Sequence, residues 1–190
     1  SDPLEVIMIF LWGLLFSTPV YAQAYCELRN PNEAMLTGFP EQTHHHSIVG
    51  NITKNEIAEI VDETNIQLHH NEFGRHTLYQ IYNNDDLLGY IQVRTEPAQW
   101  GLMEVAWFIS PEITVMGFYI QRCRDPLCSK LDQSPFADSL MGMTGAELSQ
   151  RIFEYDEDNR DGLEFLQQSV LKSGAKALLL TPIVWGLNEE

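Results

Sequence analysis

Apolar and polar residues alternate through the middle of the chain. Thr77–Tyr82 (TLYQIY), Leu87–Arg94 (LLGYIQVR), Leu102–Ser110 (LMEVAWFIS) and Ile113–Arg122 (ITVMGFYIQR) either alternate or run apolar, and they are rich in aromatic and β-branched residues. Short polar or proline-bearing segments separate them: Asn83–Asp86, Pro97–Gly101 and Pro111–Glu112. Runs of this kind, joined by tight connections, predict a four-stranded antiparallel meander. A sheet so rich in apolar side chains needs cover on a face.

Helical periodicity flanks the meander. Thr53–Glu63 (TKNEIAEIVDE) predicts a short helix, with Thr53 as cap, Glu56 three positions on, and Ile57, Ile60 and Val61 as its apolar face. Ser134–Leu140 carries Pro135 at a helix start, and Thr144–Phe153 repeats the capping pattern with Thr144 and Glu147. In Gly162–Ser173, Leu163, Leu166, Val170 and Leu171 form one stripe. Leu178–Trp185 reads either as a terminal strand or as the end of the last helix, and Pro182 argues against a central strand. Tyr25–Gln42, with Pro31 and Pro40, reads as irregular. The expected fold class is α+β: an antiparallel sheet of four or more strands with helices packed on one face.

The N-terminus differs in character. Val6–Phe16 (VIMIFLWGLLF) is apolar and uncharged, followed by Pro19 and the small-x-small triplet Ala22-Gln-Ala24. The run is short of the about 20 residues that a membrane span needs. A removable signal peptide at 1–24 is therefore expected over a permanent anchor, although Ser1–Glu5 lacks the positive charge of an export leader. Residues 25–190 then form a single α+β domain. The expected location is periplasmic or secreted, with membrane association through the N-terminal segment as the alternative.

Charge narrows the partners. The 190-residue chain carries 27 Asp and Glu against 11 Lys and Arg, a net charge of −16. Nucleic acid is excluded as a partner, because phosphate binding needs clustered cations. An exported chain permits disulfides. Cys123 and Cys128 can close a small loop around Pro126; alternatively Cys26 pairs with one of them and ties down the mature N-terminus. No CxxC pair suggests a metal site.

Candidate chemistry is sparse. No nucleophile elbow, zincin helix, phosphate loop or dinucleotide fingerprint is present. Arg75, Arg94, Arg122 and Arg124 stand out among few cations, and Arg94 and Arg122 end neighbouring antiparallel elements, where they can receive a carboxylate or phosphate. Trp100 falls in a turn, either packed over a sheet edge or presented to a partner. The histidines fall in two groups, His44–His46 and His69, His70 and His76. His70 and His76 flank Glu72 and are the metal candidates, since neutral imidazole is a common transition-metal ligand. Glu157–Gly162 has part of a calcium-loop pattern but lacks its terminal bidentate Glu, so it reads as an acidic loop capping the Gly162 helix.

From Thr77 to Leu178 the order of elements resembles the FMN-binding domain of flavin-carrying subunits in bacterial Rnf and sodium-pumping NADH:quinone reductase complexes. The resemblance runs through Tyr79–Tyr82, Leu88-Gly89-Tyr90, a strand ending near Ile109, a strand at Ile113–Ile120 and a helical stretch at Phe136–Leu148. That family attaches FMN through the Thr of a Ser-Gly-Ala-Thr motif. Here Ser173-Gly174-Ala175 is followed by Lys176, which cannot form the phosphoester, so the resemblance implies at most non-covalent FMN, with Lys176 meeting a phosphate as a point charge. The function expected first is a non-catalytic extracytoplasmic binding or assembly module on this scaffold, docking to a membrane or periplasmic protein through an apolar patch near Trp100. The alternatives are a redox accessory protein holding FMN non-covalently and a His-based metal-binding protein.

Overall fold

A computed structural model of the chain describes residues 30–64, 66–132, 134–155 and 161–187. The expected leader at 1–24, Cys26, and most of the acidic run before Asp161 lie outside them.

The protein is an α+β fold built on a five-stranded antiparallel sheet in simple meander order. Its strands are β1 (His44–Ile52), β2 (Gly74–Asn83), β3 (Asp86–Ala98), β4 (Gly101–Ile109) and β5 (Val115–Arg122). The four expected strands are all present. β1 is additional: its sequence, HHHSIVGNI, has little alternation of its own, and its pairing with β2 from His44↔Tyr82 to Ile52↔Gly74 holds it extended. The β2–β3 turn places Asn84 at φ 51°, a left-handed conformation that Asn tolerates better than most residues.

Five helices accompany the sheet among the described residues: α1 (Asn32–Gly38), α2 (Lys54–Thr64), α3 (Pro135–Asp138), α4 (Gly145–Ile152) and α5 (Gly162–Trp185). α1 lies within the stretch whose sequence reads as irregular. It is one short helix held by burial of Ala34 and Met35 rather than by a visible period. The predicted cap operates in α4, where Thr144 and Glu147 bond each other's backbone; at the start of α5 the last residue of the acidic run, Asp161, accepts from the Glu164 N–H. α5 runs 24 residues, through Ser173-Gly174 and past Pro182, and ends at Gly186 with φ 65°. Leu178–Trp185 is thus the end of the last helix. No helix among the described residues is long and apolar enough to cross a membrane.

α5 lies across one face of the sheet. Its Leu166, Val170, Leu171, Ala175 and Leu178 pack with Leu78, Met103, Val105, Trp107 and Ile109. Gly174 permits the close approach: a Cβ there would stand 2.6 Å from Trp107 Cζ2. The Trp107 indole N–H donates to Ser173 Oγ at 2.7 Å and fixes the helix's axial position. On the other face α1 and Phe39 cover Ile81, Ile91, Val93, Ala106 and Phe108. A third group joins α2 through Ile57 and Ile60 to Ile52 and Leu180. Beyond β5, Cys123 and Cys128 form a disulfide with S–S 2.02 Å, closing the turn into a 3-10 helix at Pro126–Lys130.

Candidate functional site

Side chains on β3 alternate between faces. Ile91 and Val93 go to the α1 side. Gln92, Arg94 and Glu96 go to the α5 side, where the remaining surface is mostly apolar. None of these three is more than 3% exposed. A polar stripe on a strand ordinarily marks a solvent face; here α5 covers it, and Lys176 comes down from the helix to meet it.

Lys176 Nζ lies 2.6 Å from Glu96 Oε1 and 2.9 Å from Glu72 Oε2. Glu72 ends a 3-10 turn, His70–Glu72, and its Oε2 also accepts from the His69 N–H at 2.7 Å in a reciprocal cap with the His69 ring. Arg94 Nη1 stands 3.8 Å from Glu72 Oε1, and Arg94 Nε donates to Gln92 Oε1 at 3.4 Å. Two cations and two carboxylates thus neutralise one another inside the protein. Isolated ions there would cost several kcal/mol each in lost hydration. The cancellation is incomplete in hydrogen bonding: Arg94 Nη1 and Nη2, Gln92 Nε2 and Glu72 Oε1 have no hydrogen-bond partner among the described residues.

Titration follows from this packing. Burial pushes the Glu96 carboxyl up, with the Lys176 ammonium pulling against it and Glu72 adding to the rise. Burial pulls Lys176 down, but the carboxylates of Glu96 and Glu72 outweigh it and leave the ammonium above its ordinary value. Lys176 is therefore a bound cation, not a free amine nucleophile. His76 sits at the cluster's edge, and its Nε2 donates to the Glu72 carbonyl at 2.8 Å. Burial first and the Arg94 charge second lower its pKa to about 4, so the ring is neutral at physiological pH.

Two members of the cluster, Glu96 and Lys176, line the floor of a cleft of ≈ 550 Å³. Lys172 adds a charge at one side. Ile66, Leu68 and Pro97 supply an apolar wall, while Ser149, Ile152 and Phe153 close the side formed by α4. Ser149 Oγ donates to the Thr64 carbonyl at 3.0 Å and ties α4 to the end of α2. Phe153 is 68% exposed at the rim.

Of the residues singled out from sequence, the fold brings Arg94 and Lys176 together around Glu72. Arg75, Trp100 and Arg122 stand apart. Arg75 is exposed on β2 opposite Asn51. Trp100 is 61% exposed in the β3–β4 turn. Arg122 pairs with Glu104 on the sheet face opposite Arg94 and lines a second, shallower depression of ≈ 490 Å³ beside the disulfide with Arg124 and Asp125. His70 is exposed with its ring 4.2 Å from that of His69, whereas His76 is buried and committed to Glu72. Ser173 is wholly buried in mid-helix and bonded by Trp107, and both charged neighbours of Lys176 are already carboxylates. Trp107 and Phe118 lie tilted against each other within the core, ring centres 5.2 Å apart.

Gln92 and Glu96 are the members that sequence reasoning missed, and Glu72 entered it only as a carboxylate beside the histidines. Their signal is indirect: a single lysine in the apolar run Ser173–Leu180, and three polar residues at alternate positions of a strand otherwise rich in core residues. No protein-family model matches the chain, and no curated protein matches it.

Proposed function

We propose that the protein is a non-catalytic extracytoplasmic binding module whose ligand site is the cleft above the Lys176 cluster. The observation that carries this reading is the cleft's make-up: a floor of mutually neutralised charges beneath an apolar wall, with Lys172 at its charged side. Its volume lies within the about 300–1,000 Å³ range of small-molecule sites. The charges in the floor hold one another, so they orient and shape rather than react. The ligand class that fits is a small amphipathic molecule, its apolar body along Ile66, Leu68 and Phe153 and an anionic end at Lys172. An exported setting agrees with the Cys123–Cys128 disulfide, a bond that persists in oxidising compartments. A protein partner, membrane-bound or periplasmic, would have the exposed indole of Trp100 to dock against.

Native mass spectrometry of protein purified gently from its own host tests the reading. A retained small molecule that disappears in Gln67→Trp, a substitution that fills the cleft from its exposed rim, supports it. A visible absorption spectrum of the same sample identifies a flavin directly. Protein that carries nothing, and whose Tm is indifferent to a panel of amphipathic carboxylates, leaves the cleft without a ligand and refutes the proposal.

A further inference from the structure

Outside the cleft, another cluster of chemistry-bearing side chains lies at the start of β1. His44 and His46 are two residues apart on an extended strand, so both side chains leave the same face, and His45 leaves the other. Their ring centroids are 5.3 Å apart. Tyr82, the register partner of His44 on β2, braces both: its ring is stacked on His44 at 5.2 Å and tilted against His46 at 5.4 Å. Thr43 Oγ1 lies 3.2 Å from His44 Nδ1, which orients that ring and leaves Nε2 for an outside group. Both histidines are exposed.

With metal–nitrogen bonds of about 2.0–2.1 Å, the centres of two imidazoles on one ion lie about 4.5 Å apart at the right angle that Cu²⁺ favours and about 5 Å apart at a tetrahedral angle. The observed 5.3 Å between ring centres is close to that spacing. The hydrogen bond at Nδ1 of His44 is the kind of outer contact that fixes a ligand ring's orientation. The net charge of −16 favours cations near the surface. We infer that His44 and His46 form a two-imidazole site for a borderline divalent transition-metal ion, with Cu²⁺ held most tightly. Among the described residues no three His, Cys, Asp or Glu groups converge to hold an ion. The described residues therefore supply two ligands, and the other coordination positions are open to water or to an exchangeable ligand.

Calorimetric titration of Cu²⁺ into the full chain, in a non-chelating buffer, tests this. One equivalent should bind, roughly ten-fold or more weaker in His46→Ala and in His44→Ala, and unchanged in His45→Ala, whose side chain leaves the opposite face. Electron paramagnetic resonance of the copper-loaded protein should show two nitrogen ligands, falling to one in His46→Ala. No binding, binding that survives the His44→Ala/His46→Ala double substitution, or equal loss in His45→Ala would overturn the site. Binding that is lost in His70→Ala but kept in the double variant would place the ion at the other histidine group and overturn it too. All four positions are exposed, so circular dichroism should be the same for every variant.

Discussion

Lys176 and Glu72 stand 104 residues apart in the chain and meet at 2.9 Å inside the protein. The contact ties the long helix to a one-turn 3-10 segment, and Glu96 makes it a three-way junction with the sheet. One lysine thereby sets the position of α5 over β3 and the floor of the proposed ligand cleft.

Removing that lysine leaves Glu72 and Glu96 facing Arg94 alone. Lys176→Met should destabilise the fold by about 3–5 kcal/mol, the usual cost of breaking a buried ion pair from one side. Adding Glu96→Gln restores neutrality, so the double variant should lose less than the sum of the singles. Urea unfolding of the four proteins measures the coupling; additive losses would mean that the two side chains do not act as a pair.

His76 makes stability depend on pH. Its folded pKa of about 4 lies below the unfolded value of 6.5, so between the two the unfolded chain binds more protons. Stability from this group is therefore full above 6.5 and falls as pH drops toward 4, by up to about 3 kcal/mol. Glu96, raised by burial, works in the opposite sense: its contribution is present at low pH and is lost as pH rises through its folded pKa. Urea midpoints at pH 7 and pH 4.5 should show a net acid loss in the native protein and a clearly smaller loss in His76→Gln. An identical pH slope in the two proteins would remove His76 from this role.

Gly174 is the contact point of α5 on Trp107. Alanine in a helix interior ordinarily gains about 1 kcal/mol over glycine. Here its methyl group would stand 2.6 Å from Trp107 Cζ2 and 3.0 Å from Leu148 Cδ1. Gly174→Ala should instead cost about 1–3 kcal/mol through overpacking. The sign of the change in Tm decides between the two effects.

Trp185 caps the β1 edge of the sheet. Its indole N–H donates to the Ile48 carbonyl at 3.1 Å, and Val184 packs beside Gly50. β1 is an edge strand without charge at Ile48–Gly50, the kind that invites pairing between molecules unless something blocks it. Trp185→Ala should give concentration-dependent self-association, read by size-exclusion chromatography with light scattering. Trp185→Phe, which keeps bulk but loses the donor, should fall between the two. A monomeric Trp185→Ala at all concentrations would show that the edge is protected by other means.

The strands of the meander and the cap of α4 were legible because each rests on local chemistry: alternation, turn residues and an oxygen acceptor three positions before a Glu. β1 was not legible, since HHHSIVGNI has no period and gains its strand form from β2. α1 was missed for a similar reason: seven residues are too few to show a helical stripe, and its Ala34 and Met35 matter only because the second face of the sheet needs cover. The join of Gly162–Ser173 to Leu178–Trp185 was hidden by Ser173-Gly174, which reads as a helix break but serves as a packing notch against Trp107.

The candidate site divides the same way. From the chain alone, Arg94 and Lys176 could be chosen as rare cations worth watching, and the class of fold, the order of the four meander strands and the scarcity of catalytic motifs could be read. Those are properties of neighbours in sequence. That the two cations meet Glu72 and Glu96 rather than an outside anion was decided only by the tertiary structure. It depends on which face of β3 receives the long helix: α1 takes the apolar face, α5 takes the polar one, and charges that local pattern assigns to solvent must find each other in the interior.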